Sequence, residues 1–202
     1  MKKKYILLLM LLLIIIISIC LIYRNNNKED TDIKVKYPIY EYYKLNKVIT
    51  KNINYYLKDN IDNYYFLYID YKDYEYKEYI SIVLYISYFT GGAHPNYEIK
   101  TINYNKSTNK FIDIDDLINR DKDILNKLSI YSREYFSNND MFNDKVVFDM
   151  MIDGTKSIKD NYKYFNITSD GLIIYFNRYQ IAPYYYGDYS ITIPYNYLDL
   201  SI

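Results

Sequence analysis

The only histidine of the chain, His94, stands in the stretch Thr90-Gly91-Gly92-Ala93-His94-Pro95-Asn96. An imidazole titrates near neutrality and can work as a general acid or base. Such a role needs a partner, and no nucleophile motif of the G-x-S-x-G kind accompanies it. The simpler expectation, which we prefer, is a histidine that hydrogen-bonds loop backbone and helps to hold the turn. Gly91 and Gly92 permit positive φ or a close backbone approach. Pro95 fixes its own φ and pushes His94 towards an extended conformation. No Lys-Ser/Thr follows the glycines, so the stretch is not a phosphate loop. A second candidate is the carboxylate cluster Asp113, Asp115 and Asp116. A calcium loop would need oxygen ligands at loop spacing, a glycine and a distal glutamate. The last two are missing, so a turn or helix cap is the preferred reading. The third candidate is the aromatic stretch Tyr179-Gln180 and Tyr184-Tyr185-Tyr186. Tyrosine offers rigid area with a polar tip, which suits protein or glycan surfaces; packing of the sheet's far end is the plainer alternative. The ligand-binding candidates are therefore Gly91, Gly92, His94, Asn96, Tyr179, Gln180, Tyr184 and Tyr185. No catalytic residue, metal ligand or cofactor is expected.

These residues need a scaffold, and its periodicities are legible. Tyr74 to Phe89 alternates, with Ile80, Ile82, Leu84 and Ile86 on one face and Ser81, Val83, Tyr85 and Ser87 on the other. Tyr64–Tyr71 and Tyr97–Tyr104 read as further strands, and Lys110–Ile114 as the return of a hairpin. Leu45, Val48, Ile49, Ile53, Tyr56, Leu57 and Ile61 recur at helical spacing, which predicts a helix over Leu45–Asn60. Asp121 is placed to cap a second helix whose inner face carries Ile124, Leu125, Leu128, Ser132 and Tyr135. A weaker helix is expected over Met141–Met151, with a turn at Asp153-Gly154. Three strands close the chain: Tyr162–Ile167, Leu172–Asn177 and a last one through Tyr189, Ile191 and Ile193. This order predicts an α+β fold, a largely antiparallel sheet packed with helices on one face.

Composition narrows the function classes. The 202 residues carry 25 basic and 25 acidic side chains, and no basic stripe stands out. Nucleic-acid binding needs clustered positive charge and is set aside. A single cysteine, Cys20, rules out an intramolecular disulfide. The 31 tyrosines favour strands. Lys2, Lys3 and Lys4 precede an uncharged run from Tyr5 to Tyr23. As a helix this run is about 28 Å long, close to the hydrocarbon thickness of a bilayer. An uncleaved anchor with its C-terminal body outside is the expectation for residues 1–23. A cleaved leader is the first rival, but no A-x-A-like site ends the run. A lipoprotein anchored at Cys20 is the second, although Ile19 is large for the position before the cysteine. Residues 24–32 read as a polar tether. Residues 33–202 read as one extracytoplasmic domain, with halves of about 33–90 and 91–202.

Several of these stretches together resemble one family. They are Tyr88-Phe89-Thr90-Gly91-Gly92-Ala93-His94-Pro95-Asn96, Thr101-Ile102-Asn103-Tyr104-Asn105, Asp116-Leu117-Ile118, Gly171-Leu172-Ile173-Ile174-Tyr175-Phe176 and Tyr179-Gln180-Ile181-Ala182-Pro183-Tyr184, with Gly187 and Ile193-Pro194. The pattern is similar to the extracellular domain of unknown function shared by the lysozyme-sensing anti-sigma factor RsiV and PdaC-type peptidoglycan deacetylases. Asn109 departs from it, standing where the family's hairpin has a glycine; Asn tolerates the left-handed turn. The resemblance implies a cell-envelope binding module whose ligand is a lysozyme-like protein or peptidoglycan. Two inheritances are not expected. Only Met1 to Lys4 precede the apolar run, which leaves no room for a cytoplasmic sigma-binding domain. One histidine does not supply the histidine-and-aspartate metal site of the deacetylase domain. The alternatives to a binding module are an accessory domain serving an envelope enzyme and a polysaccharide-acting enzyme using His94.

Overall fold

A computed structural model describes Met10 and residues 13–19, 31–58 and 63–200. The chain divides into two compact units, Met1–Thr31 and Asp32–Ile202. In the first, Met10 and residues 13–19 are helical and exposed. Among the described residues no helix is long and apolar enough to cross a membrane. Cys20 and the rest of the 5–23 run lie outside the described residues.

The second unit begins with β1 (Asp32–Val35) and helix α1 (Tyr43–Leu57), followed by β2 (Phe66–Tyr76), β3 (Tyr79–Phe89), β4 (Asn96–Asn105) and β5 (Lys110–Ile112). These strands form a five-stranded sheet in the order β1-β2-β3-β4-β5. β1 pairs parallel with β2, and every other pair is antiparallel. The long strand pair β2–β3 turns at Lys77-Glu78, with Lys77 at φ 51. The charged residues after Tyr71 predict a break in this strand; the pairing instead runs on to Tyr76, with Asp73 and Glu75 opposite Ile82 and Ile80 in unbroken register.

Helix α1 lies on one face of this sheet. Its stripe Leu45, Ile49, Ile53 and Tyr56 is buried against Leu67, Ile69, Ile80, Ile82, Leu84, Ile86, Ile102 and Tyr104. Each such aliphatic side chain contributes about 1.5–3 kcal/mol by leaving water. No side chain caps α1 at Tyr42. Asn46 fixes the entry instead: its amide accepts from Tyr40 N (2.9 Å) and donates to Tyr40 O (2.6 Å).

The opposite face departs from the expectation of a single sheet. A second, three-stranded sheet of β6 (Phe165–Ile167), β7 (Leu172–Phe176) and β8 (Tyr189–Ile193) packs on it. Ser81, Asn103 and Asn166 are buried in the seam. Across it, Ile167 N donates to Ser81 Oγ (3.0 Å), Asn103 Nδ2 to Phe165 O (2.9 Å) and Asn166 Nδ2 to Ile82 O (3.1 Å). On its far side the second sheet joins α2 (Ile114–Arg120), α3 (Ile124–Ser137), α4 (Lys145–Gly154) and the short α5 (Lys159–Tyr162). Their core includes Leu117, Leu128, Phe136, Met151, Tyr162, Ile174 and Ile193. A last turn, α6 (Tyr195–Leu198), follows β8. The layers are thus helix, sheet, sheet, helices. Phe136, rather than the expected Tyr135, completes the inner stripe of α3, and Tyr135 is 53% exposed. Asp121 does not cap α3 directly: it accepts from Asp123 N (2.9 Å), one turn ahead of the helix.

Candidate functional site

The β3–β4 pairing ends at Tyr88 opposite Asn96, and the intervening loop projects beyond the sheet. Gly91 (φ 97) and Gly92 (φ 116) adopt the left-handed backbone that glycine alone takes readily. They let the loop carry His94 onto a segment some 90 residues later, where the ring of His94 stacks on Tyr184 at 3.9 Å and 24°. Tyr184 Oη donates to Pro95 O (2.7 Å), so the same tyrosine grips the loop twice. Tyr179 completes the cluster with its hydroxyl 3.4 Å from His94 Nε2 and its ring 5.6 Å from that of Tyr184. His94 Nδ1 lies 3.0 Å from Pro95 O. The loop-bonding histidine expected from the sequence is thus present, with a ring stack that the sequence did not reveal. Among the described residues no carboxylate hydrogen-bonds to it.

The other candidates separate. Asn96 is exposed at the start of β4. Tyr185 is 74% exposed and pairs with Tyr186 at 4.1 Å. Gln180 turns inward: its amide donates to Gly154 O (3.1 Å) and Asn161 O (3.0 Å), and its Oε1 accepts from Asn177 N (3.2 Å). That clamp explains Gly154 at the end of α4, where a Cβ would stand 1.9 Å from Gln180 O.

Sequence reading missed Arg178, Tyr97 and Asp188. The Arg178 guanidinium lies 3.6 Å from the Tyr97 ring centroid and 4.6 Å from that of Tyr184. Asp188 holds it, with Oδ2 3.7 Å from Nε and Oδ1 accepting the Arg178 backbone N–H (3.0 Å). The only signal was an arginine between Asn177 and Tyr179; its partners come from another strand and a later loop.

A second polar cluster sits on the helix side of the sheet. Tyr56 and Tyr88 donate to the two oxygens of Glu98 (2.7 and 3.0 Å). Burial, then the Glu98 bond, pushes Tyr88 up to about 12 and Tyr56 higher still. Both phenols therefore stay neutral donors that tie α1 and β3 to β4. The carboxylates of Asp113 and Asp116 make a capping box on α2: Asp113 accepts from Asp115 N and Asp116 N, and Asp116 from Asp113 N. Asp115 pairs with Lys159. Among the described residues no three His, Cys, Asp or Glu side chains are grouped to hold a metal ion.

Residues 115–196 match the family described as "Protein of unknown function (DUF3298)". The match includes Arg178, Tyr179, Tyr184 and Asp188 and leaves the His94 loop outside. Peptidoglycan-N-acetylmuramic acid deacetylase PdaC of Bacillus subtilis (strain 168) is 37% identical over 127 residues, 62% of this chain. The match spans 27% of that enzyme's length. Among solved structures, a DUF3298 family protein of Pseudomonas aeruginosa PAO1 superposes with a TM-score of 0.65 at 18% identity, over 84% of this chain and 83% of that one. A DUF3298 family member from Bacteroides fragilis NCTC 9343 gives 0.51 at 20% identity, over 77% and 60%. The last two show a shared fold. The resemblance expected from the glycine loop and the tyrosine stretch is borne out: residues 115–196 match the DUF3298 family, and the chain is similar to part of PdaC.

Proposed function

We propose that this protein is a binding module of the bacterial cell envelope, held at the membrane by residues 5–23 with its C-terminal body outside the cell. It grips its ligand and does not transform it. The observation that carries the reading is the ridge on which His94, Tyr179 and Tyr184 meet. Two segments far apart in sequence are locked together there, yet Tyr179 stays 56% exposed. Rigid aromatic area on loops above a fixed sheet is a usual form of a recognition surface. The polar neighbours of His94 are a phenol and a carbonyl, which favours support of the loop over acid–base work. The relationship to PdaC supports a ligand in the wall: peptidoglycan glycan or, by the resemblance to RsiV, a lysozyme-like protein. An alternative anchorage is a lipid on Cys20.

The test is retention of the full chain, in detergent micelles, on purified peptidoglycan sacculi and on immobilised lysozyme. Retention on one of them, weakened about tenfold by Tyr184→Ala, is expected for a central aromatic contact. No retention on either at high micromolar protein refutes the reading. So does turnover of glycan fragments that disappears in His94→Ala, which would install the enzyme reading instead.

A further inference from the structure

We propose that the uncovered end of β2, β3 and β4, beside the His94 ridge, is a sugar-binding groove that takes a pyranose ring over Tyr85, with Arg178, Asp188 and Asp70 as its hydrogen-bonding rim. The proposal rests on the glycan arm of the reading above. It adds a site that the sequence motifs do not touch.

The groove exists because the second sheet is short. Tyr175 of β7 reaches the first sheet at Val83 and Ile99 and packs there. Two residues further along β3, Tyr85 points to the same side and is 40% exposed. The space above it has a volume of about 310 Å³, between Tyr68 and Asp70 on one wall and Tyr97, Arg178 and Asp188 on the other. That is the lower end of small-molecule sites and admits roughly one or two sugar rings, not a folded chain.

Its chemistry is mixed in the way a polyol requires. The face of Tyr85 carries negative charge density suited to the polarised C–H groups of a sugar ring. Asp70 and Asp188 offer acceptors to hydroxyl groups, and Arg178 offers donors to ring, hydroxyl or N-acyl oxygens. Arg178 is also built for the task. It is clamped between Tyr97 and Tyr184 and aligned by Asp188. Its Nε is buried beside Asp188, so the donors left for a ligand are the terminal amines of a side chain that is 21% exposed. Its terminal amines reach no acceptor among the described residues. A pre-positioned guanidinium with unused donors loses little entropy when a ligand arrives. An extended peptide fits less well. The floor is the face of strands already paired with one another, so it offers side chains and no free backbone ladder. Two rim carboxylates oppose a polyphosphate.

The experiment titrates the full chain in detergent with the tetramer of β-1,4-linked N-acetylglucosamine, followed by calorimetry. Saturable binding is expected, weakened about tenfold by Tyr85→Ala and by Arg178→Gln, and kept by Tyr85→Phe, which retains the ring. Asp70→Asn, on an exposed side chain, provides a variant whose folding is not at issue and is expected to weaken binding a few-fold. Binding of the tetramer at wild-type strength by Tyr85→Ala, Arg178→Gln and Asp70→Asn overturns the groove. So does absence of tetramer binding while sacculi or lysozyme are retained, an outcome that leaves the envelope-binding reading standing. Failure to bind the tetramer, sacculi and lysozyme alike removes both.

Discussion

The two faces of the five-stranded sheet are held by different forces. The face under α1 is closed by apolar side chains, with Leu45, Ile49, Leu67 and Ile82 entirely out of solvent. The face under the second sheet has only a small apolar contact, Tyr175 on Val83 and Ile99, and is closed otherwise by directional bonds. β6 is an edge strand, and the N–H and C=O groups on its outer side have no strand to pair with. Side chains of the first sheet satisfy them: Thr101 and Ser81 accept from Phe165 N and Ile167 N, and Asn103 donates to Phe165 O. An unpaired buried backbone group costs about 1–3 kcal/mol, so this seam is polar by necessity. The difference teaches how one sheet serves two purposes. Apolar packing tolerates small slips, whereas a bonded seam sets the second sheet in one register. That fixed register stops the cover short of Tyr85 and leaves an open end.

The largest effect that sharpens this contrast belongs to the dry face. Ile82→Ala removes a fully buried side chain from the centre of β3 and is expected to cost about 2–5 kcal/mol, lowering the melting temperature by roughly 4–20 °C. A loss under about 1 kcal/mol would mean that α1 repacks freely and the face is not a close-packed core. The seam comes next. Asn103→Ala leaves Phe165 O and Asn166 Nδ2 short of a partner, since Asn166 also donates to Asn103 Oδ1 (3.2 Å). A loss of about 1–3 kcal/mol is expected in denaturant titration. Combined with Asn166→Ala, it should show a coupling of about 0.5 kcal/mol or more. Strict additivity of the two would break the comparison, because it would make the seam a set of separate contacts.

The dry face was legible in the sequence and the seam was not. Ile80, Ile82, Leu84 and Ile86 alternate, and Leu45, Ile49, Ile53 and Tyr56 recur every three or four residues, so both partners of that packing announce themselves. On the other face Ser81, Thr101 and Asn103 look like solvent-facing strand residues. Their partners lie more than sixty positions away in β6. Nothing local marks a serine or asparagine as the cap of another strand's edge. The site divides the same way. Gly91, Gly92 and His94 stood out by type and spacing, and Tyr184 by its tyrosine run. Their meeting is a long-range contact, and Gln180, from the same motif, proved to be an internal clamp on Gly154 and Asn161. Arg178 was overlooked because a lone arginine has no pattern; only Tyr97 and Asp188 around it give it a fixed direction.

The smallest effect is expected at the open end, and it tests whether that end is separable from the body. Tyr184→Phe removes the hydroxyl that donates to Pro95 O and keeps the ring that stacks on His94. One partly exposed hydrogen bond is worth about 0.5–1.5 kcal/mol. The neighbouring loop contributes no residue to either large core. The loss should therefore stay local. The melting temperature should move by no more than about 3 °C, while amide hydrogen exchange across residues 91–96 accelerates and that of β3 does not change. Equal acceleration in β3 would show that the loop is part of the sheet's cooperative unit, and the contrast between a closed body and an independently held open end would fail.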